Sequence, residues 1–439
     1  MTLTIALQFI VVLAAIWMGA RYSGVGLGLW GAVGLLVLIA GFGVTPTSPP
    51  IDVMLIILAV IMAASVMDAA GGIDFLVSVA ERIIRANPKY VTVVAPLTTW
   101  SFCFVAGTGH IVYPLLPVIY ETAHQSGIRP ERPMAVATIA SQQAITASPV
   151  AAATAAMIGL FAEKGLPWGL PQILMICVPA TLTGVVAAAI VSMFVGKDLK
   201  NDPEYQARLK AGEVPPPKVA GKAQLKPTAK LSAFLFLAGV ALVVAFGFFP
   251  GLRTLPGAKA ALPMPIVIEV VMMAVAAIML MFTRIDVNEV PKTPTLRAGV
   301  VAVIGIFGLA WLGDSFISAH KEVIVPAIGH WAEIAPWTFA FGLFFASVLL
   351  YSQAATTRAL MPLGLALGIP PQFLIAMFPS VNGYFFIPTY GSLIAAINFD
   401  LSGTTKIGKY ILNHSFMIPG LIATIVAVTT GLLLARVLF

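Results

Sequence analysis

Charge is scarce in this sequence: Asp, Glu, Lys and Arg make up 10% of its 439 residues, against 59% hydrophobic ones. So few charges cannot clothe a soluble chain of this length, and the mean hydropathy of +0.98 makes lipid the expected solvent. Cysteine is nearly missing. Cys103 and Cys177 are the only two, both inside apolar stretches, which excludes a disulfide framework and a thiolate metal site and leaves buried packing. HExxH, P-loop, GxSxG and dinucleotide fingerprints are absent, so the residues point to no enzyme, no cofactor and no metal. The N-terminus, MTLTIALQFIVVLAAIWMGA, lacks the basic leading region of a cleaved signal and predicts an uncleaved first span.

What the sequence does have is apolar stretches of roughly 20 residues, each long enough to cross about 30 Å of hydrocarbon as helix. They recur along the chain and predict an all-α polytopic membrane protein, not a barrel. The formal charge of +7 sits mostly in short loops, where membrane orientation accounts for it better than a nucleic-acid partner does.

Full crossings are expected at 3–20, 25–44 and 51–69, followed by an amphipathic segment from Ile73 to Ile84. The apolar stretch 91–120 is interrupted at Gly107, Thr108, Gly109 and His110. Two limbs of about 15 residues, each about 22 Å at helical rise, reach only part of the way through the bilayer and predict a re-entrant hairpin. A segment from Pro133 to Leu160 breaks at 147–149, around Ser148 and Pro149, and a crossing at 170–195 follows. Residues 197–230, with three consecutive prolines and eight Lys or Arg, form a polar linker. The order then repeats. Crossings are expected near 231–250, 264–283 and 297–313, with an amphipathic stretch from Ser315 to Trp331 and a second hairpin at 337–366 interrupted at Ser352 and Gln353. A helix at 372–397 broken at 387–389, around Pro388 and Thr389, and a last crossing at 411–434 complete the pattern.

Spacing supports the repeat, since Asp68 to Gly107 and Asp314 to Gln353 are both 39 residues. About five crossings per half, an odd number, predict two inverted repeats, 1–196 and 231–439, joined by the linker 197–230. Placing the linker in the cytoplasm puts 19 of the 25 Lys and Arg inside, 5 outside and Arg358 within the membrane. Both termini are then expected in the periplasm.

Broken helices at membrane depth persist only where protein, water or ligand satisfies the freed backbone groups. Four breaks in two pairs, brought together by inverted symmetry, would aim helix N-termini at a midplane site suited to two carboxylates. Each break taken singly also reads as an ordinary kink. The substrate-binding set expected here is Gly107, Thr108, Gly109, His110, Ser148, Pro149, Ser352, Gln353, Thr357, Arg358, Asn382, Pro388 and Thr389. Arg358 is the countercharge in this reading; a structural pair with a membrane acid such as Asp314, or snorkelling, is the alternative. Asp68 and Asp314, at matching positions, read either as proton or cation relays or as solvated helix ends.

The segments GTGHIVYPLLPVIYE, GIRPERPM, SQQAITASPV, AWLGDSFIS, YSQAATTRALMPLGLALG, FFIPTY, SGTTKIGK and NHSFMIPG resemble the anaerobic C4-dicarboxylate transporter family, Dcu, closer to its A-type members. The resemblance implies a multi-pass carrier of the bacterial inner membrane that exchanges succinate, fumarate, malate and aspartate. It also implies an elevator-type architecture, in which hairpins and broken helices move against a homodimeric scaffold made from the first three crossings of each half. The alternatives are a transporter that also acts as co-sensor of a membrane sensor kinase, as the resemblance allows, or a cation-coupled carrier of another small organic anion. One departure is visible: Pro388-Thr389-Tyr390-Gly391 stands where the resemblance implies Pro-Thr-Tyr-Pro.

Overall fold

The computed structural model describes the chain apart from residues 1, 2, 23, 215–224, 259, 351, 389, 409 and 411, and the side chains apart also from those of 20, 321, 324–334 and 336. Thr389 and the three linker prolines therefore lie outside the described residues. Among those described, the regular elements are helical, with one isolated antiparallel bridge between Ile407 and His414. Helix is what an apolar chain adopts in hydrocarbon, because it pairs every interior N–H and C=O locally.

The first half runs through α1 (Leu3–Tyr22), α2 (Gly26–Phe42) and α3 (Ile51–Ala69), then α4 (Gly72–Ala86), whose charged and apolar faces are sharply separated. Two helix pairs separated by breaks follow, α5 (Val91–Ala106) with α6 (Val112–Gln125) and α7 (Glu131–Ala147) with α8 (Ala152–Glu163), and then α9 (Leu170–Ser192). After the short α10 (Pro203–Lys210) come α11 (Ala229–Phe248), α12 (Met264–Thr283), α13 (Pro294–Gly305) and α14 (Trp311–Ile334). The chain then forms α15 (Phe339–Leu350), α16 (Gln353–Ala366), α17 (Pro371–Met377), α18 (Gly391–Phe399) and α19 (Met417–Leu438). Eight helical stretches among the described residues are long and apolar enough to cross a membrane, the broken Glu131–Glu163 being one of them.

Four elements differ from the expectation. The 297–313 crossing does not end before the amphipathic stretch, because a π turn at Ile306–Ala310 carries α13 into α14. A π turn shifts the hydrogen-bond register without opening the chain, which a hydrocarbon environment favours over a break. The break expected at 387–389 is wider. Helix α17 stops at Met377, a 3-10 stretch covers Phe378–Phe385, and Asn382 inside it is non-helical at φ −101° and ψ 29°. Pro379 contributes no N–H there, and the Gly383 N–H donates to Ser347 Oγ at 2.8 Å instead of to a helical carbonyl.

The last crossing starts at Met417 rather than 411. Asp400 draws the preceding backbone into turns, accepting from Ser402 N at 3.0 Å, Thr405 N at 2.6 Å and Thr404 Oγ1 at 2.8 Å. The linker, finally, is not featureless. Asp202 caps α10 by accepting from Glu204 N and Tyr205 N, and Pro203 occupies its first turn. That helix docks through Arg129 with Asp202, Tyr205 with His124 at 2.8 Å, and Arg208 with the Ser402 carbonyl at 2.8 Å.

Small residues let the backbones touch, as membrane helix packing requires. Gly28 of α2 lies against the Ile304 carbonyl and Gly308 against Gly28, while Gly184 of α9 lies against Ala423 of α19. A Cβ at any of these positions would collide with backbone. The two halves are thus interlocked, and the breaks are held between them.

Candidate functional site

Each break is built by local chemistry. Helix α5 ends because Gly107 adopts the left-handed conformation at φ 69°, where a side chain is strained. Thr108 is extended, and its Oγ1 accepts from His110 N at 3.3 Å to open a 3-10 turn. Between α7 and α8, Ser148 is extended, and its Oγ accepts from Val150 N at 3.3 Å next to Pro149, so the helix cannot continue. Ser352 caps α16, its Oγ accepting from Ala355 N at 3.2 Å.

The breaks then meet, and the meeting point is Gln142 of α7. On one side Gly109 of the first tip lies directly against the Gln142 amide. On the other, Gln353 of the second tip donates Nε2 to Gln142 Oε1 at 2.8 Å and to Asn382 Oδ1 at 3.1 Å. Asn382 donates onward to Gln143 Oε1 at 3.3 Å and to the Pro379 carbonyl at 3.1 Å, and Gln143 donates to Thr424 Oγ1 at 3.1 Å. Gly107 packs on the other break of its own half, where an added Cβ would stand 2.7 Å from the Val150 carbonyl. Gln142, Gln143, Ser148 and Asn382 are all buried. Such a chain of amides inside hydrocarbon is costly unless every member is paired, and this one pairs across both halves.

Arg358 sits elsewhere. Five residues beyond Gln353 it is about 7.5 Å further along α16 and turned by roughly 140° from it. Its guanidinium donates from Nη1 to Glu163 Oε2 at 3.0 Å and from Nη2 to Asp314 Oδ2 at 3.4 Å. These three side chains line an open cavity of about 880 Å³, with Lys164, Ser318 and the 47–52 segment on its walls. The arginine itself is 1% exposed.

The structure therefore brings Gly109, Gln353 and Asn382 together at Gln142, and sets Gly107 against Val150 of the Ser148 break. Arg358 and Asp314 are paired apart from that meeting point, in the wall of the cavity of about 880 Å³. Thr357 spends its hydroxyl on the Gln353 carbonyl at 2.7 Å, and His110 lies exposed, tilted against Tyr113. Asp68 is remote from Asp314, accepting from Thr295 Oγ1 at 2.7 Å near the Lys226 and Thr228 anchors on Ala69 and Ala70. Pro388 is buried in the wide second break. At Gly391, where the departure falls, an added Cβ would lie 2.8 Å from the Tyr113 hydroxyl.

Sequence reasoning overlooked Gln142, Gln143, Ser347 and Glu163. Two adjacent glutamines in a long apolar helix were a readable signal, since amides at that depth need partners. Glu163 gave none, because it reads as a helix end.

Comparison with known proteins agrees with this architecture. The family model described as anaerobic C4-dicarboxylate membrane transporter matches residues 4–439. The C4-dicarboxylate transporter DcuA of Wolinella succinogenes is 42% identical over 438 residues, covering 98% of this chain and 99% of that protein. DcuA of Escherichia coli K12 is 41% identical over 433 residues, with the same two coverages. The anaerobic C4-dicarboxylate transporter DcuB of Escherichia coli O157:H7 is 38% identical over 437 residues, covering 98% of each. Among solved structures, the YdaH transporter of Alcanivorax borkumensis superposes with a TM-score of 0.53 at 13% identity, covering 94% of this chain and 98% of that one. MtrF of Neisseria gonorrhoeae, from a class of antimetabolite efflux pumps, gives 0.54 at 12% identity over 98% and 94%. Those two share the fold alone. The full-length match and the identities show that this chain belongs to the anaerobic C4-dicarboxylate membrane transporter family.

Proposed function

We propose that this protein is a secondary carrier that exchanges or takes up C4-dicarboxylates such as succinate, fumarate, malate and aspartate across the bacterial inner membrane. The observation that carries the reading is the meeting of the breaks at Gln142, which Gln353 and Gly109 approach from opposite halves. A solute bound there touches both halves at once, which is what alternating access asks of a site. Helices α8 and α18 start without a side-chain cap among the described residues, and a helix N-terminus favours an anion. Arg358, one helical turn or more beyond Gln353 on α16 and lining a cavity of its own, supplies the fixed positive charge.

The order of elements supports two inverted repeats: α5, break and α6 correspond to α15, break and α16, and α7, break and α8 correspond to α17, break and α18. In this reading α1–α3 and α11–α13 form the scaffold of a homodimer and the broken helices move against it as an elevator. The close backbone contact between Gly28 and Gly308 suits a rigid scaffold. The basic linker lies in the cytoplasm and both termini in the periplasm, on the 19 to 5 division of Lys and Arg.

Reconstitution tests the reading. Vesicles loaded with unlabelled succinate should draw in labelled fumarate or aspartate in exchange, with saturation. Absence of counterflow for any C4-dicarboxylate would overturn it.

A further inference from the structure

Arg358 is held by carboxylates that belong to the protein. Glu163 ends α8 in the first half, Asp314 sits on α14, and Arg358 on α16 contacts each through a single nitrogen. Its Nε is buried and has no partner among the described residues. The two acids are partly open to the cavity, with side chains 29% and 18% exposed. Neither bond has the two-pronged geometry that a guanidinium offers a carboxylate. One edge of Arg358 is thus left unused beside a cavity of about 880 Å³ that reaches it.

We propose that Glu163 and Asp314 are an internal exchange lock: they occupy Arg358 when no substrate is bound, and an incoming substrate carboxylate takes the guanidinium from them. The proposal rests on the dicarboxylate-carrier reading and deepens it. The two acids have different parts. Asp314 belongs to the helical stretch that continues α13, so its bond ties α16 to that stretch and holds the empty carrier in place. Glu163 belongs to a broken helix and competes with substrate for the same guanidinium. The cost of freeing Arg358 without a replacement anion keeps the lock shut, since an unpaired guanidinium at this depth is strongly unfavourable. Substrate opens it because the substrate's own carboxylate, held in two-pronged fashion, replaces two single bonds.

The test uses the full chain in vesicles loaded with labelled succinate, with efflux followed into buffer with and without external succinate. In Asp314→Asn the tie is lost while Glu163 still neutralises Arg358. Efflux into succinate-free buffer should rise by about tenfold, the factor that losing one charge-assisted hydrogen bond implies. In Glu163→Gln the competitor is weakened, and the succinate concentration for half-maximal exchange should fall by about tenfold. Asp314→Glu, which keeps the charge, should restore dependence on external succinate. If Asp314→Asn still requires a counter-substrate, or Glu163→Gln binds succinate no more tightly, the lock is refuted while the carrier reading stands. If the native chain exchanges no dicarboxylate, the carrier reading falls and the lock with it. Each arm decides independently, so misfolding of one variant leaves the other conclusive.

Discussion

Gln142 and Gln353 lie 211 residues apart in sequence and share an amide hydrogen bond of 2.8 Å. One belongs to the helix before a break in the first half and the other to the tip of a break in the second. Their bond makes a single polar centre from two separate interruptions.

Gln353→Ala removes the donor to both Gln142 and Asn382. Two acceptors are left without that donor, at a cost of about 1–3 kcal/mol each when buried. Dicarboxylate affinity is expected to fall by about tenfold or more, with a lower melting temperature. Half-saturation of exchange and thermal unfolding in detergent are the two measurements, and an unaltered affinity would remove Gln353 from the site.

Gly391→Ala places a Cβ 2.8 Å from the Tyr113 hydroxyl. The hydroxyl ends a half-buried side chain that can turn aside, so the variant is expected to lose about 1 kcal/mol of stability or less. Tyr113→Phe in the same chain should recover most of it by removing the obstructing oxygen. A double-mutant cycle on unfolding measures the coupling, and simple additivity would contradict the contact.

Arg358→Ala should abolish dicarboxylate binding in a protein that still inserts and remains monodisperse. Here the sequence was informative only in part. An arginine within an apolar stretch, and Asp314 as an available acid, could be read directly, and hydropathy located most of the helices because in lipid length and polarity decide what spans. The positions of the breaks at Gly107, Ser148 and Ser352 also followed from residue type. What could not be read was partnership: Glu163 reaches Arg358 from 195 residues away, and nothing in its neighbourhood marks it. The wide break around Asn382 was hidden for a related reason, because its backbone is held by Ser347, a residue from another helix. The docking of α10 rests on polar pairs that resemble any solvated loop.

Asp202, on the polar linker, predicts a pH effect. Burial pushes its carboxyl up, but hydrogen bonds from Arg129 and from the Tyr205 and Glu204 backbone, with the Arg129 charge, leave it below the ordinary carboxylate range. A group whose folded value is depressed stabilises fully above its unfolded value of about 4 and loses that stabilisation as pH falls through the lower folded value. Asp202→Asn keeps the cap on α10 but loses the ion pair with Arg129. Its melting temperature should lie below that of the native chain at neutral pH, by an amount reflecting about 1 kcal/mol, and converge with it in acid. A difference that persists unchanged down to the lowest pH at which the protein stays folded would contradict this.

The central claim is that a dicarboxylate binds where the breaks of the two halves converge, and a succinate-bound density map of the full chain tests it most directly. Density is expected in contact with the Gln142, Gln353 and Asn382 cluster or its bordering tips, with Arg358 turned from Glu163 and Asp314 toward a substrate carboxylate. Succinate bound away from the breaks, with Arg358 still paired to both acids, would contradict it.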